Sequence, residues 1–234
     1  MNEFFQVVLR TNDVDAARAF YARVLGERAL NIVQLHEQAV ARGARPHWLG
    51  LLQVADVEQA AAAFIARGAT SLGPKWINPE GLEASVLRDP GGALMAVARP
   101  HTPALPERLA GASGADLIWC SLNTADVARA CANYAELFSW QFKEPLDLGA
   151  LGVLHPFAYE AGGEPAGSMI DIAGRPGVHP HWLFHFRVAA LEPAVEAVRA
   201  LAGKVLPLVT LPSGERIAVC DDPQGAAFAL RERS

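Results

Sequence analysis

The sequence is short of charge, of cysteine and of basic runs, and each shortage removes a class of function. Charged residues make up 19% of the 234 and the net charge is −5. Without any Lys/Arg run, that balance offers a nucleic acid no electrostatic footprint. Apolar residues reach 51%, yet every apolar run breaks well before the ~18 residues that a membrane span needs. Met1-Asn2-Glu3-Phe4 has no basic region leading into an apolar one, so no signal peptide is expected. The three cysteines, Cys120, Cys131 and Cys220, have no CxxC spacing, and an odd number fits buried thiols in a reducing compartment. The chain also lacks a Ser-His-Asp order and a Gly-rich phosphate loop opening a helix. The expectation is a cytoplasmic protein with no nucleic-acid and no membrane partner.

What is present is one pattern written twice. Arg88-Asp89-Pro90-Gly91-Gly92-Ala93-Leu94-Met95-Ala96-Val97 returns 133 positions later as Asp222-Pro223-Gln224-Gly225-Ala226-Ala227-Phe228-Ala229-Leu230. In each copy Asp-Pro opens a turn, Gly supplies the unusual backbone conformation, and an alternating strand follows. Ahead of the first copy, Phe4 to Thr11 reads as a strand, and Asn12 or Asp13 caps a helix. That helix sets Val14, Ala17, Phe20, Tyr21 and Val24 at helical spacing, and Gly26 stops it. Glu27 to Pro46 gives a muddled signal, with a helix over Leu35 to Ala41 and no hairpin. His47 to Val54 reads as a buried strand, Asp56 as the cap of an Ala-rich helix, and Leu82 to Leu87 as a strand.

Residues 99–115 have a linker's composition, and then the pattern restarts. Leu117 to Thr124 is a strand, Asp126 caps a helix, and Tyr134 falls 113 positions after Tyr21. His181-Trp182-Leu183 repeats His47-Trp48-Leu49 at an offset of 134, so 21 residues enter between helix and strand. They lie within Gln141 to Val178, where Ala158 to Pro165 reads as a hairpin that the first half lacks.

These motifs, in order and twice over, resemble the vicinal oxygen chelate superfamily, which includes glyoxalase I, bleomycin-resistance proteins and extradiol dioxygenases. Carrying the match are Asp13-Val14, Phe20-Tyr21, Leu25-Gly26, Asp56-Val57, Asp89-Pro90-Gly91-Gly92 and their partners in the second half. His-Trp-Leu and the closing Asp-Pro-Gln-Gly-Ala-Ala-Phe-Ala-Leu are similar to a bacterial tandem branch of uncertain function. The resemblance implies an α+β fold of two tandem glyoxalase-like domains built from paired βαβββ units, the first unit of domain one shortened. The domains would be 1–100 and 116–234, joined by a linker at 101–115. Each would curl into a cup whose concave face holds the ligand.

The superfamily's enzymes hold a divalent metal through His or Glu on the first, central and last strands, donor types such ions favour. The corresponding positions here are Gln6 and Trp119, Leu49 and Leu183, Ala96 and Ala229. They hold one poor ligand and no good one, so neither metal nor other cofactor is expected. A relocated site could draw on His179, His181, His185 and His155. However, His181 and His185 stand about 13 Å apart on a regular strand, and Pro180 interrupts regularity between His179 and His181. Trp48 and Trp182 have the opposite parity and should pack on helices, as should Cys120. Tyr159 and Met169 lie in the segment that would close the cup.

The expected function is a metal-independent small-molecule-binding protein, with a small apolar or aromatic ligand in the cup of the second domain. Trp119, Ser121, Asn123, His181, Leu183 and His185 would line it, the tryptophan as an apolar platform and the polar groups as orienting hydrogen bonds. No catalytic residue is identified. The alternative is a lyase, isomerase or dioxygenase-like enzyme with a relocated metal, or with His181 or His185 as a base. A third class is an interaction protein whose cups are filled by its own side chains. The shortened first unit leaves a sheet edge that something must cover, and a homodimer is one way to cover it.

Overall fold

The computed structural model describes residues 2–27, 30–78, 81–100, 117–149, 152–175 and 177–232. The expected linker at 101–115 lies outside them. In the first half the elements are β1 (Phe4–Thr11), α1 (Val14–Leu25), β2 (Asn31–Gln34) and α2 (Glu37–Ala41). There follow β3 (His47–Gln53), α3 (Val57–Ala66), β4 (Thr70–Ser71), β5 (Trp76–Ile77), β6 (Leu82–Arg88) and β7 (Leu94–Pro100). The second half opens with β8 (Leu117–Thr124), α4 (Val127–Phe138), β9 (Gln141–Phe142), β10 (Leu146–Asp147), β11 (Val153–Ala158) and β12 (Gly167–Asp171). It closes with β13 (His181–Val188), α5 (Leu191–Ala200), β14 (Lys204–Val205), β15 (Val209–Thr210), β16 (Arg216–Asp221) and β17 (Ala227–Glu232).

The strands form two mixed sheets, so the fold is α+β with paired βαβββ units and a shortened first one. One sheet has seven strands in the order β2-β1-β3-β7-β6-β4, with β5 also on β6. The other has ten, in the order β10-β11-β12-β8-β13-β17-β16-β14, with β15 on β16 and β9 on β11. β11 and β12 are the expected extra hairpin, antiparallel from Leu154↔Ile170 to Phe157↔Gly167. Several short strands are not in the sequence reading, and β2 is the one beside the first strand. β2 pairs parallel with β1 from Val8↔Asn31 to Thr11↔Gln34, and its four residues are too few to show an alternating pattern.

Aspartates start three of the helices as expected. Asp13, Asp56 and Asp126 each accept the backbone N–H three residues on, from Ala16, Gln59 and Arg129 at 2.9, 2.9 and 3.0 Å. Such a cap satisfies a donor that the first helical turn leaves orphaned.

By contacts the chain divides into two compact units, each drawing on both halves of the duplication. Among the described residues, the first holds 2–6, 50–100 and 119–182, and the second 7–49, 117–118 and 183–232. The core of the first is aromatic: Trp140 stacks on Phe157 at 4.3 Å and on Tyr134 at 5.0 Å. Phe64 of α3 and Trp182 meet Tyr134 edge-on at 5.5 and 5.6 Å. Gly167 makes this closeness feasible, since a Cβ there would overlap Phe157 and the Cys120 carbonyl. The core of the second unit centres on Tyr21, edge-on to Trp48 and Phe228 at 5.3 Å each. Trp48 and Trp182 therefore pack against helices, as their parity implied.

The repeated Asp-Pro turn is the polar centre of each unit. Asp89 accepts the Ala93 N–H at 2.8 Å and the Tyr134 hydroxyl at 3.2 Å. Asp222 accepts the Gln224 and Ala226 N–H groups at 2.9 Å and the Tyr21 hydroxyl at 3.2 Å. Trp48 in turn donates to the Tyr21 hydroxyl at 3.1 Å. Gly92 and Gly225 adopt φ of 105° and 92°, a region that side chains other than glycine resist. Beside the first turn is a cavity of about 30 Å³, lined by Asp89, Thr124, Arg129, Asn133 and Tyr134 among others. That is the room of a single water.

Candidate functional site

β8 carries three of the expected ligand-binding residues, Trp119, Ser121 and Asn123, on one face. The neighbouring strand fixes which face that is. Cys131 of α4 touches Met169 of β12 at 3.8 Å, so Met169 points at the helix and Ser168 and Ile170 point away from it. The parallel register sets Ser168 beside Ser121 and Ile170 beside Asn123. Across the hairpin, Pro156 and Leu154 are the partners of Ser168 and Ile170. All but Ser121 and Ser168 on this face are half-buried, so it remains accessible.

The polar groups on this face are organised. Trp119 Nε1 donates to Ser168 Oγ at 3.2 Å, and the Ser121 and Ser168 hydroxyls meet at 3.3 Å. His181 Nδ1 faces the His179 carbonyl at 2.8 Å. A carbonyl only accepts, so Nδ1 carries the proton and Nε2 presents its lone pair. Asn123 Nδ2 donates to that Nε2 at 3.3 Å. The imidazole is therefore in one tautomer, held from both sides, and Trp119, Ser121, Asn123 and His181 all lie within the first unit.

Leu183 and His185 belong to the second unit. Leu183 packs with Ile217 and Ala229, bordered by Val209, Leu211, Val219 and Ala227. His185, register partner of Ala229, is 3% exposed, and its Nδ1 accepts from Arg231 Nε at 3.0 Å. Burial first, and the Arg231 charge second, hold its imidazole well below the usual histidine range. Arg231 is completed by Glu215, whose carboxylate oxygens lie 3.2 and 3.3 Å from Nη1. Sequence reasoning missed Ser168, Arg231 and Glu215. Arg231 had a signal, since it shares the parity of Ala229 one pleat further on, whereas Ser168 carries no motif.

The six positions where a metal ligand would stand do not fit a divalent ion. Leu49, Leu183, Ala96 and Ala229 are buried apolar side chains, Trp119 donates to Ser168, and Gln6 is 1% exposed. Neither amide atom of Gln6 has a hydrogen-bond partner among the described residues, and one amide oxygen is a poor ligand set. Among the described residues, no three His, Cys, Asp or Glu side chains converge as a metal site elsewhere. Two of the thiols are poor nucleophiles as well: burial pushes Cys131 up to about 11 and Cys220 up to about 12. Tyr159 and Met169 turn to the interior, Tyr159 against Trp140 at 5.3 Å and Met169 against α4. Among the described residues, no helix is long and apolar enough to cross a membrane.

No family model matches the chain. In sequence it is similar to "Putative glyoxylase CFP32" of Mycobacterium bovis and of Mycobacterium tuberculosis. Each is 27% identical over 253 residues, covering 96% of this chain and 92% of the relative. In structure it is similar to an Mn(II)-bound glyoxalase from Novosphingobium aromaticivorans, with a TM-score of 0.64 and 12% identity over 99% of this chain and 82% of that one. It is also similar to the 2,3-dioxygenase LapB from Pseudomonas sp. KL28, with a TM-score of 0.62 and 15% identity over 98% of this chain and 91% of that one.

Proposed function

We propose that this chain, which has the vicinal oxygen chelate fold, is a metal-independent small-molecule-binding protein. Its ligand lies against Trp119, Ser121, Asn123, Ser168 and His181. The observation that carries this reading is Trp119 itself. An indole stands at the first-strand position where a metal ligand would be, half-buried and oriented by Ser168. An aromatic plane on a face that also carries Leu154, Pro156 and Ile170 suits a small apolar or aromatic body, and the Ser121 hydroxyl and the Asn123–His181 pair supply orienting hydrogen bonds. In this reading 1–100 and 116–234 are the duplicated domains. A homodimer through the β2 edge of the seven-stranded sheet belongs to the same reading.

The test is binding of a neutral aromatic probe, N-phenyl-1-naphthylamine, to wild type and to Trp119→Ala. The expected result is about tenfold weaker binding or more, with circular dichroism and unfolding temperature kept. Equal affinity in a folded variant would move the ligand away from this face.

A second reading is favoured by the names of the relatives: a glyoxalase- or dioxygenase-like enzyme using His181 as a base. It requires the His181 Nε2 lone pair to leave Asn123 for the substrate. Asn123→Ala would then raise turnover in a glyoxalase or ring-cleavage assay, whereas a binder would show none in either form.

A further inference from the structure

We infer that the first half carries a binding site of its own for a small carboxylate, built on Arg10 with His47 beside it. The two halves place the same positions differently. In the second half, Asn123 and His181 satisfy each other through a neutral hydrogen bond. The equivalents, 113 and 134 positions earlier, are Arg10 and His47, and both lie in the second compact unit. Like His181, His47 is held by the carbonyl two residues back, with Nδ1 at 2.7 Å from Arg45 O. Its Nδ1 therefore carries the proton, and its Nε2 stays an acceptor. Such an acceptor welcomes an asparagine amide. On the neighbouring strand β1, the position of that asparagine holds Arg10, whose guanidinium the described residues supply with neither a hydrogen bond nor an ion pair.

Arg10 is half-buried on β1, and its loss of water lowers its pKa. A cation withdrawn from solvent without a partner is costly to keep, and a ligand anion removes that cost. The charge acts on His47: burial lowers its imidazole, the Arg45 carbonyl opposes this, and Arg10 lowers it further. The surroundings narrow the ligand class. Alternation puts Val8 on the face of Arg10, and the register adds Asn31 beside Val8 and Val33 beside Arg10. One guanidinium fork matches one carboxylate, the Asn31 amide is a further donor, and Val8 and Val33 favour an apolar body over a phosphate. This site does not depend on the ligand proposed for Trp119, and it would make the first half a binding half.

The experiment is a titration of the ¹⁵N-labelled full chain with sodium benzoate, benzamide or inorganic phosphate, following the Arg10 Nε–Hε and His47 ring resonances. Benzoate is expected to shift both saturably at millimolar concentration and benzamide to shift neither. Arg10→Gln is expected to weaken benzoate, read at the His47 ring, about tenfold or more. Failure of benzoate to shift Arg10 in the wild type, which needs no variant to fold, would overturn the site. So would unchanged benzoate affinity in Arg10→Gln, or phosphate binding more tightly than benzoate.

Discussion

Tyr21 and Tyr134 each commit a buried hydroxyl to the aspartate of an Asp-Pro turn. Burial raises the pKa of both Asp89 and Asp222, against the pull of the backbone N–H groups and of the tyrosine. The sign of the pH effect follows. A carboxyl whose folded pKa is raised holds its proton more tightly in the native state, so its stabilisation is complete below the unfolded value of about 3.9. It is lost as pH rises through the folded value. Asp89→Asn, which keeps an oxygen for the Ala93 N–H and no charge, is therefore expected to gain stability relative to wild type as pH rises from about 4 to 7. Urea unfolding at a series of pH values measures that difference. Tyr134→Phe removes the hydroxyl and is expected to cost about 1–3 kcal/mol at neutral pH. At this scale the sequence displays the duplicated aspartates and tyrosines, but not that they meet. The partners lie 45 and 201 positions apart, and no local pattern encodes such a contact.

Among the elements, β8 and β12 are those on which the proposed site depends. Their close approach rests on Gly167, where any side chain would enter the space of Phe157 and Cys120. Gly167→Ala is expected to destabilise by about 1–3 kcal/mol through overpacking and to weaken N-phenyl-1-naphthylamine binding by displacing Ser168 from Trp119. Chemical denaturation and the same probe titration read the two effects. Alternation alone put Trp119, Ser121 and Asn123 on one face, because a pleat of period two leaves no other choice. It could not find β2, whose Asn31-Ile32-Val33-Gln34 run is too short to show a period. Nor could it find Ser168, whose place beside Ser121 comes from a register set across 47 residues.

For the whole molecule, the chemistry of the donor set is the testable quantity. Elemental analysis of the untagged chain is expected to give metal well below one ion per chain, and EDTA to leave the unfolding temperature unchanged. One metal per chain, lost in His181→Ala, would favour the enzyme reading instead. The duplication was legible because the motifs recur in the same order, 113 positions on before the inserted segment and 133 or 134 after it. The grouping of α1 and α4 with the other half's turn was not, since it arises from tertiary contacts. That grouping has a consequence for synthesis. Tyr21 leaves the ribosome 201 residues before Asp222, which at ~5–20 residues per second is roughly 10–40 s. Through that interval the helix bearing Tyr21 has no carboxylate for its hydroxyl and no Phe228 for its ring. A nascent chain arrested before Asp222 should therefore offer a holdase chaperone the apolar stripe of Phe20, Tyr21 and Val24.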